Sequence, residues 1–290
     1  MYLEYKVIDN KYTNINQILK QEFKLSAKLM HKVISNKFVL LNNIPIDTRT
    51  IPNNGDIIKV DLNYEEENDN IVPTKIELNI LYEDDSLLIL NKPAGIAVHP
   101  SILHFSDSLS NGVRFYFDYI SLKKKIRPVN RLDLDTSGII IFAKNEYVQE
   151  CLIKQMNSHI LKKEYIAIVS GILNNKSGTI NLPISRKDGS IIERCVSEDG
   201  QTAITDYSVI KELDNMSVVK CVLQTGRTHQ IRVHFSAIGH PLIGDFLYGS
   251  KSDFINRQAL HSYHISFIHP ISNKIINIYC ELPDDMKKIG

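Results

Sequence analysis

The sequence predicts an α+β protein: a small N-terminal module of helices and short strands, followed by a larger domain on a largely antiparallel mixed sheet. Three observations carry that expectation. Strand-like runs outnumber helical ones and sit mostly in adjacent pairs with short connections, as hairpins do. An acidic stretch poor in apolar residues, Tyr64-Glu-Glu-Glu-Asn-Asp-Asn70, separates two differently patterned regions. A chain of 290 residues with 43% hydrophobic content is large enough for two cores.

The boundaries follow from the pattern: a module over residues 1–62, an acidic linker over 63–74 and a larger domain over 75–290. Thr13 or Asn14 can cap a helix whose apolar residues Ile15, Ile18, Leu19 and Phe23 share one face. Ser26 can cap a second helix with Leu29, Met30, Val33 and Ile34 inward, and Lys24, Lys28, His31 and Lys32 form its other, basic side. Phe38 to Leu41 reads as a strand, Asn42-Asn43 and Asn54-Gly55 as turns, and Ile57 to Val60 as a second strand. The linker's charges repel one another and predict a flexible segment.

In the larger domain, Ile76 to Tyr82 and Leu87 to Asn91 flank a Glu83-Asp-Asp-Ser86 turn. Ser106 to Ser108 can cap a helix carrying Leu109, Val113, Phe117 and Ile120, with Phe115 and Tyr116 also assigned to the core. A strand over Ile139 to Phe142, a helix over Glu146 to Ser158 and a strand over Lys163 to Val169 follow. Strands are expected at Ala203 to Ile210, Val218 to Leu223, Ala259 to Phe267 and Lys274 to Cys280, with a helix over Thr228 to Ile238. That helix should turn Ile231, Phe235 and Ile238 to the core.

Composition narrows the function. Net charge is +1, so any polyanion must be met by local patches such as Lys123-Lys-Lys125 and Lys162-Lys163. No apolar run approaches the ~20 residues of a membrane span, and the N-terminus lacks the layout of a signal peptide. The four cysteines are far apart and form no Cys-x-x-Cys pair, as expected of reduced thiols in a cytoplasmic protein. No Gly-x-Gly-x-x-Gly or P-loop is present, so no nucleotide cofactor is expected. The ten histidines include His229, His234, His240, His261 and His264, but their irregular spacing argues against a metal site.

Two dense polar stretches remain. Arg127-Pro-Val-Asn-Arg-Leu-Asp-Leu-Asp-Thr-Ser-Gly138 sets two carboxylates and two guanidiniums against a four-residue apolar strand, an arrangement costly to desolvate unless the charges are paired. Leu223-Gln-Thr-Gly-Arg-Thr-His-Gln-Ile-Arg232 mounts Arg227 in a turn before a helix, with His229 and Arg232 three apart on one face. Each stretch supplies what the other needs. A carboxylate near a guanidinium keeps its charge and serves as nucleophile or base. Asp133 and Asp135 are equal candidates on these grounds, since alternation in an extended segment sends both to one side.

These residues carry a resemblance. Arg131-Leu-Asp-Leu-Asp-Thr-Ser-Gly138, Lys163-Glu-Tyr-Ile-Ala-Ile-Val-Ser-Gly171 and Thr225-Gly-Arg-Thr-His-Gln-Ile-Arg232 resemble, in order, motifs of the RluA-type pseudouridine synthases. Asn91-Lys-Pro-Ala-Gly95 is similar to the upstream motif, and His261 with His269-Pro270 to the C-terminal one. Residues 1–62 resemble the alpha-L RNA-binding module of a small-subunit ribosomal protein. The resemblance implies the pseudouridine synthase fold, RNA as substrate, and uridine isomerisation without cofactor or metal. It implies no membrane association and no obligate protein partner.

Carried over residue by residue, it makes Asp133 the essential aspartate, Tyr165 the ring packed on the target base, and Arg227 the basic partner of Asp133. Leu223 falls at the apolar position of the pocket, and Asp135 becomes an acceptor for the Thr-Ser-Gly turn. Arg131, His229 and Arg232 are assigned to substrate binding in the pocket, and Lys28 and Lys32 to the module's RNA face. Lys123 to Lys125 would meet the RNA backbone. Large-subunit ribosomal RNA is expected ahead of transfer RNA. Asn130 departs from the family, where histidine commonly precedes the Arg-Leu-Asp. A non-catalytic RNA-binding or ribosome-assembly protein is the alternative, and a metal-dependent RNA hydrolase a weaker one.

Overall fold

The computed structural model describes residues 1–8, 11–47 and 49–289. The first elements are β1 (Tyr2–Lys6), α1 (Ile15–Gln21), α2 (Ala27–Ser35), β2 (Val39–Leu41), β3 (Ile44–Pro45) and β4 (Ile57–Asp61). They form an antiparallel sheet in the order β1-β4-β2-β3. Ile15, Ile18, Leu19, Leu29 and Val33 from the helices and Leu3, Ile58 and Val60 from the sheet make its core. Asn14 and Ser26 cap the helices as expected, each accepting a backbone N–H three residues on. Asn42 and Asn43 both take left-handed φ, 51° and 68°, the backbone of a tight hairpin turn.

The larger sheet has nine strands: β5 (Ile80–Glu83), β6 (Leu87–Lys92), β7 (Ser137–Ala143), β8 (Lys162–Ser170), β9 (Ser177–Asn181), β12 (Ile204–Leu213), β13 (Met216–Leu223), β14 (Leu260–Ile268) and β15 (Ile275–Tyr279). Strands β10 (Ile184–Arg186) and β11 (Arg194–Val196) form a separate hairpin. The sheet order is β5-β6-β7-β14-β8-β13-β12-β9, with β15 on β14. Its pairings are antiparallel except for β7 with β14. The helices are α3 (Leu109–Tyr119), α4 (Glu146–Asn157), α5 (Gln230–Ala237) and α6 (Asp284–Lys287). None of the described helices is long and apolar enough to cross a membrane.

Strand β7 is buried along its whole length because it is covered on both faces. Ile140 and Phe142 pack with Val113 and Phe117 of α3, while Ile139 and Ile141 pack with Val148 and Leu152 of α4. Gly138 (φ +109°) is required where β7 meets β14: a Cβ there would lie 2.2 Å from the Ser262 carbonyl oxygen. Thus the Thr-Ser-Gly run marks a backbone crossing beside the site.

Several expectations need correction. The acidic stretch is no flexible linker, because cations from both flanking regions pair with Glu65 and Glu66. Buried Glu66 accepts from Arg127 at 2.7 Å and from Lys32 at 2.9 Å, and Lys32 also reaches Glu146 at 3.0 Å. The Tyr64 ring stacks on Phe38 at 4.9 Å, with the Lys32 and Lys124 ammoniums 4.4 and 4.7 Å from its centroid. Burial works against the Glu66 charge, but the bonds and charges of Arg127 and Lys32 outweigh it and hold the carboxyl at about 2.

Lys32 is therefore spent within the molecule, and Lys28, though exposed, lies 3.5 Å from the same Glu146. The Lys123–Lys125 run is no free patch either. Buried Lys124 donates to the Leu62 and Tyr64 carbonyls, and Lys123 pairs with Glu65 at 3.1 Å. In the helices, Ile238 and Phe115 are exposed rather than core residues, and α5 begins two residues later than expected.

Candidate active site

Asp133 sits in the turn that feeds β7, where the Thr136 N–H donates to the Asp133 carbonyl. Two devices fix that turn. Asn130, buried beside it, donates to the Ile139 carbonyl at 3.1 Å and accepts the Ile141 N–H at 2.9 Å, so its amide continues the ladder of β7. Fully buried Lys92 donates to the carbonyls of Pro93, Ile96 and Leu134 at 2.7–2.8 Å. Burial pulls Lys92 down to about 7, against the charges of Asp135 and Asp133, while three carbonyl acceptors match the three N–H groups of its charged form. Asn130 thus has a structural explanation, and the Asn-Lys-Pro-Ala-Gly run acts through Lys92.

The Asp133 carboxylate faces a cavity of about 670 Å³. The cavity gathers the assigned residues of the larger domain: Arg131, Asp133, Tyr165, Leu223, Arg227, His229 and Arg232. Asp135 is absent from its walls, because the chain turns at residues 134–135 and the expected alternation does not apply. No side-chain hydrogen bond ties Asp135 to the Thr-Ser-Gly turn among the described residues; its backbone carbonyl accepts from Arg257 at 3.0 Å.

The basic partner of Asp133 is Arg232, not Arg227. Arg232 lies in the first turn of α5, which Ile231 and Phe235 anchor on β8 and β13. Its Nη1 is 3.2 Å from Asp133 Oδ2, while Nε and Nη2 grip Asp245 at 2.7 and 2.9 Å. Burial opposes the guanidinium charge, but Asp245 and Asp133 more than offset it and raise the Arg232 pKa. Arg227 stands at the exposed lip, its Nε donating to the Thr202 carbonyl at 2.9 Å. The reason is geometric: Arg227 precedes the helix in a turn at the exposed lip, whereas position 232 lies within the helix, where its side chain reaches Asp133 and Asp245.

His229 takes a left-handed backbone (φ 58°) at the start of α5, with Nδ1 2.8 Å from the Tyr248 hydroxyl. Its Nε2 lies 3.9 Å from Asp133 Oδ2. Burial lowers its pKa, with Asp133 pulling the other way, so the ring is neutral near pH 7. Tyr165 is 5% exposed; burial and then the Asp133 charge push its phenol upward, against a hydrogen bond to Ser262. It presents a protonated aromatic wall. Two residues of the site, Asp245 and Tyr248, were given no role by the sequence, and a third, Lys163, was expected only as part of the Lys162-Lys163 basic patch. Lys163 lines the cavity, its pKa lowered by burial, and its ammonium makes no hydrogen bond or ion pair with a described residue. The Lys162-Lys163 run was its signal in the sequence, whereas Asp245 is brought to Arg232 only by tertiary folding.

His261 bonds to Ser137 and the Cys280 carbonyl, and His234 to Thr205 and the Leu182 carbonyl, so both serve the scaffold. The site therefore offers one carboxylate held by a buried guanidinium, one aromatic wall, an ammonium and an open basic lip. That set suits a planar base and its sugar attached to a polyanion.

Comparison with known proteins agrees. Residues 86–237 match the family described as RNA pseudouridylate synthase. The chain is 40% identical over 274 residues to "Uncharacterized RNA pseudouridine synthase YhcT" of Bacillus subtilis (strain 168), covering 94% of this chain and 90% of that one. It is 38% identical over 230 residues to "Ribosomal large subunit pseudouridine synthase D" of Zymomonas mobilis subsp. mobilis (strain ATCC 31821 / ZM4 / CP4), covering 74% and 72%. The solved structure of Human RNA Pseudouridylate Synthase Domain Containing 1 superposes with a TM-score of 0.60 at 25% identity, covering 72% of this chain and 84% of that one. The chain belongs to the RNA pseudouridine synthase family and is an isomerase that acts on RNA.

Proposed function

We propose that this enzyme converts specific uridines of large-subunit ribosomal RNA to pseudouridine, using Asp133 and no cofactor. The observation that carries the chemistry is the mounting of Asp133 on the cavity wall: Oδ2 is held by Arg232, while Oδ1 takes no hydrogen bond from a described residue. A uridine in folded RNA must leave its stack before its glycosidic bond is reachable, at a cost of a few kcal/mol. Stacking on the Tyr165 ring returns ~1–3 kcal/mol of that, and Leu223 supplies an apolar wall.

Asp133 drives the break of the bond from N1 to C1′, either as a nucleophile whose bond to the nucleotide is released when C5 attacks C1′ or as a base at the sugar. It ends the cycle as the free carboxylate. The uracil turns in place, and C5 bonds to C1′. The C5 proton leaves to solvent and N1 gains one, so product and substrate are isomers. Arg232 keeps Asp133 ionised and aimed. Tyr165, whose phenol stays protonated, takes no part as a base at neutral pH.

The ribosomal target rests on relatives named for the large ribosomal subunit and on the N-terminal module, read as an alpha-L RNA-binding domain. With Lys32 committed to Glu66 and Glu146, the module meets RNA through its remaining exposed cations, Lys20 and Lys24 among them. Mapping pseudouridines in total RNA from a deletion strain tests the assignment. Loss at one or more large-subunit positions is expected. Loss confined to transfer RNA would overturn the target.

A further inference from the structure

The chain has nine arginines. Five hold carboxylates: Arg49, Arg114, Arg127, Arg232 and Arg257. The other four, Arg131, Arg186, Arg194 and Arg227, make no ion pair with a described residue, and all four line one cleft of about 430 Å³. The carboxylate on its described wall, Asp199, comes within 4.0 Å of none of their charged nitrogens. Unpaired guanidiniums otherwise disperse over a surface to limit repulsion, so their segregation here calls for an anion from outside.

Arg131 and Arg186 are exposed and make no side-chain hydrogen bond with described residues. Arg227 is steadied through Nε on the Thr202 carbonyl, leaving both Nη groups open. Arg194 uses Nη1 on the Ile192 and Glu193 carbonyls, and its backbone N–H donates to the Tyr248 hydroxyl at 2.8 Å. That hydroxyl also meets His229, which ties the β10–β11 hairpin to the catalytic cavity. The cleft shares Arg131, Gly226, Arg227 and Thr228 with the cavity and is therefore its side entrance.

We propose that this cleft is a phosphodiester-binding subsite, in which Arg186 and Arg194 of the hairpin and Arg131 and Arg227 of the lip hold the RNA backbone next to the target uridine. The proposal rests on RNA being the substrate. Guanidinium is suited to the task because its planar fork bonds phosphate oxygens in pairs and is weakly hydrated, whereas the same groups would read no base sequence. Backbone grip at the entrance also holds the strand while the base is out of its stack.

The test uses the full chain and an unmodified transcript of large-subunit ribosomal RNA, with Kd measured across a series of salt concentrations. The Arg186→Gln/Arg194→Gln variant is compared with wild type and with Lys176→Gln/Lys287→Gln, which removes two lysines already paired with Glu212 and Glu281. The hairpin variant should bind about ten- to a hundredfold more weakly. Its slope of log K against log salt should fall by ~1.4, two contacts at ~0.7 each for single-stranded RNA. The lysine variant should match wild type.

Unchanged affinity and slope in the hairpin variant, or an equal loss in the lysine variant, overturns the subsite. Pseudouridine is assayed separately in deletion-strain RNA treated with wild type. Absence of product there counts against the enzymatic reading, while the slope comparison still decides the cleft.

Discussion

Replacing Arg232 by lysine separates the two jobs its guanidinium performs. Three nitrogens are in use, two on Asp245 and one on Asp133. Lysine is a point cation without a fork and cannot serve both. Asp245 is fully buried, so a lysine ammonium goes to it rather than leave that carboxylate unpaired. The 3.2 Å bond to Asp133 is then broken, and one hydrogen bond between charged groups is worth ~1.5–3 kcal/mol. If that bond holds Asp133 in its reactive pose, kcat falls by ~10–150-fold. The assay is release of the uracil C5 hydrogen from labelled RNA under single-turnover conditions, with urea unfolding to verify the fold. Arg227→Lys is the companion, and because Arg227 touches only a carbonyl at the lip, its effect should appear in KM. A larger loss of kcat for Arg227→Lys than for Arg232→Lys would refute the assignment of the aspartate's partner.

Other outcomes follow from the same geometry. Asn130→Ala leaves the Ile141 N–H and Ile139 carbonyl unsatisfied in the interior, so urea unfolding should register a loss of roughly 2–6 kcal/mol at ~1–3 kcal/mol per group. Burial holds His261 at about 4 against its ordinary 6.5, so the unfolded chain binds the extra proton first. Stability from this group is complete above pH 6.5 and declines as pH falls through 4, by ~3 kcal/mol in all; His261→Gln should flatten that part of the stability–pH curve. Glu66, held at about 2, contributes stability above pH 4.5 that is lost as pH falls toward 2. Glu66→Ala leaves Arg127 buried without its carboxylate, and protease cleavage within residues 63–74 should accelerate.

What the sequence made legible was whatever depends on neighbours in the chain. Caps at Asn14 and Ser26, the Asn42-Asn43 turn and the apolar run Ile139 to Phe142 of β7 are local patterns, and all appear where expected. The short strands β9, β10 and β11 have no periodic signal, and the cleft that β10 and β11 help to build was invisible with them. The acidic stretch was misread because like charges repel only until cations meet them. Arg127 and Lys32, which neutralise Glu66, come from 61 and 34 residues away. The partner of Asp133 was misplaced for a similar reason: sequence places Arg227 and Arg232 five apart, but only the helix start at Gln230 decides which one reaches Asp133.

The central claim is that Asp133 performs the isomerisation, and one measurement tests it most directly. Asp133→Asn, nearly isosteric and without the charge, is expressed at wild-type level in a strain lacking the gene, and pseudouridines are mapped in its total RNA. The sites restored by wild type should stay unmodified with the variant, which should still bind RNA. Full restoration by Asp133→Asn would contradict the mechanism.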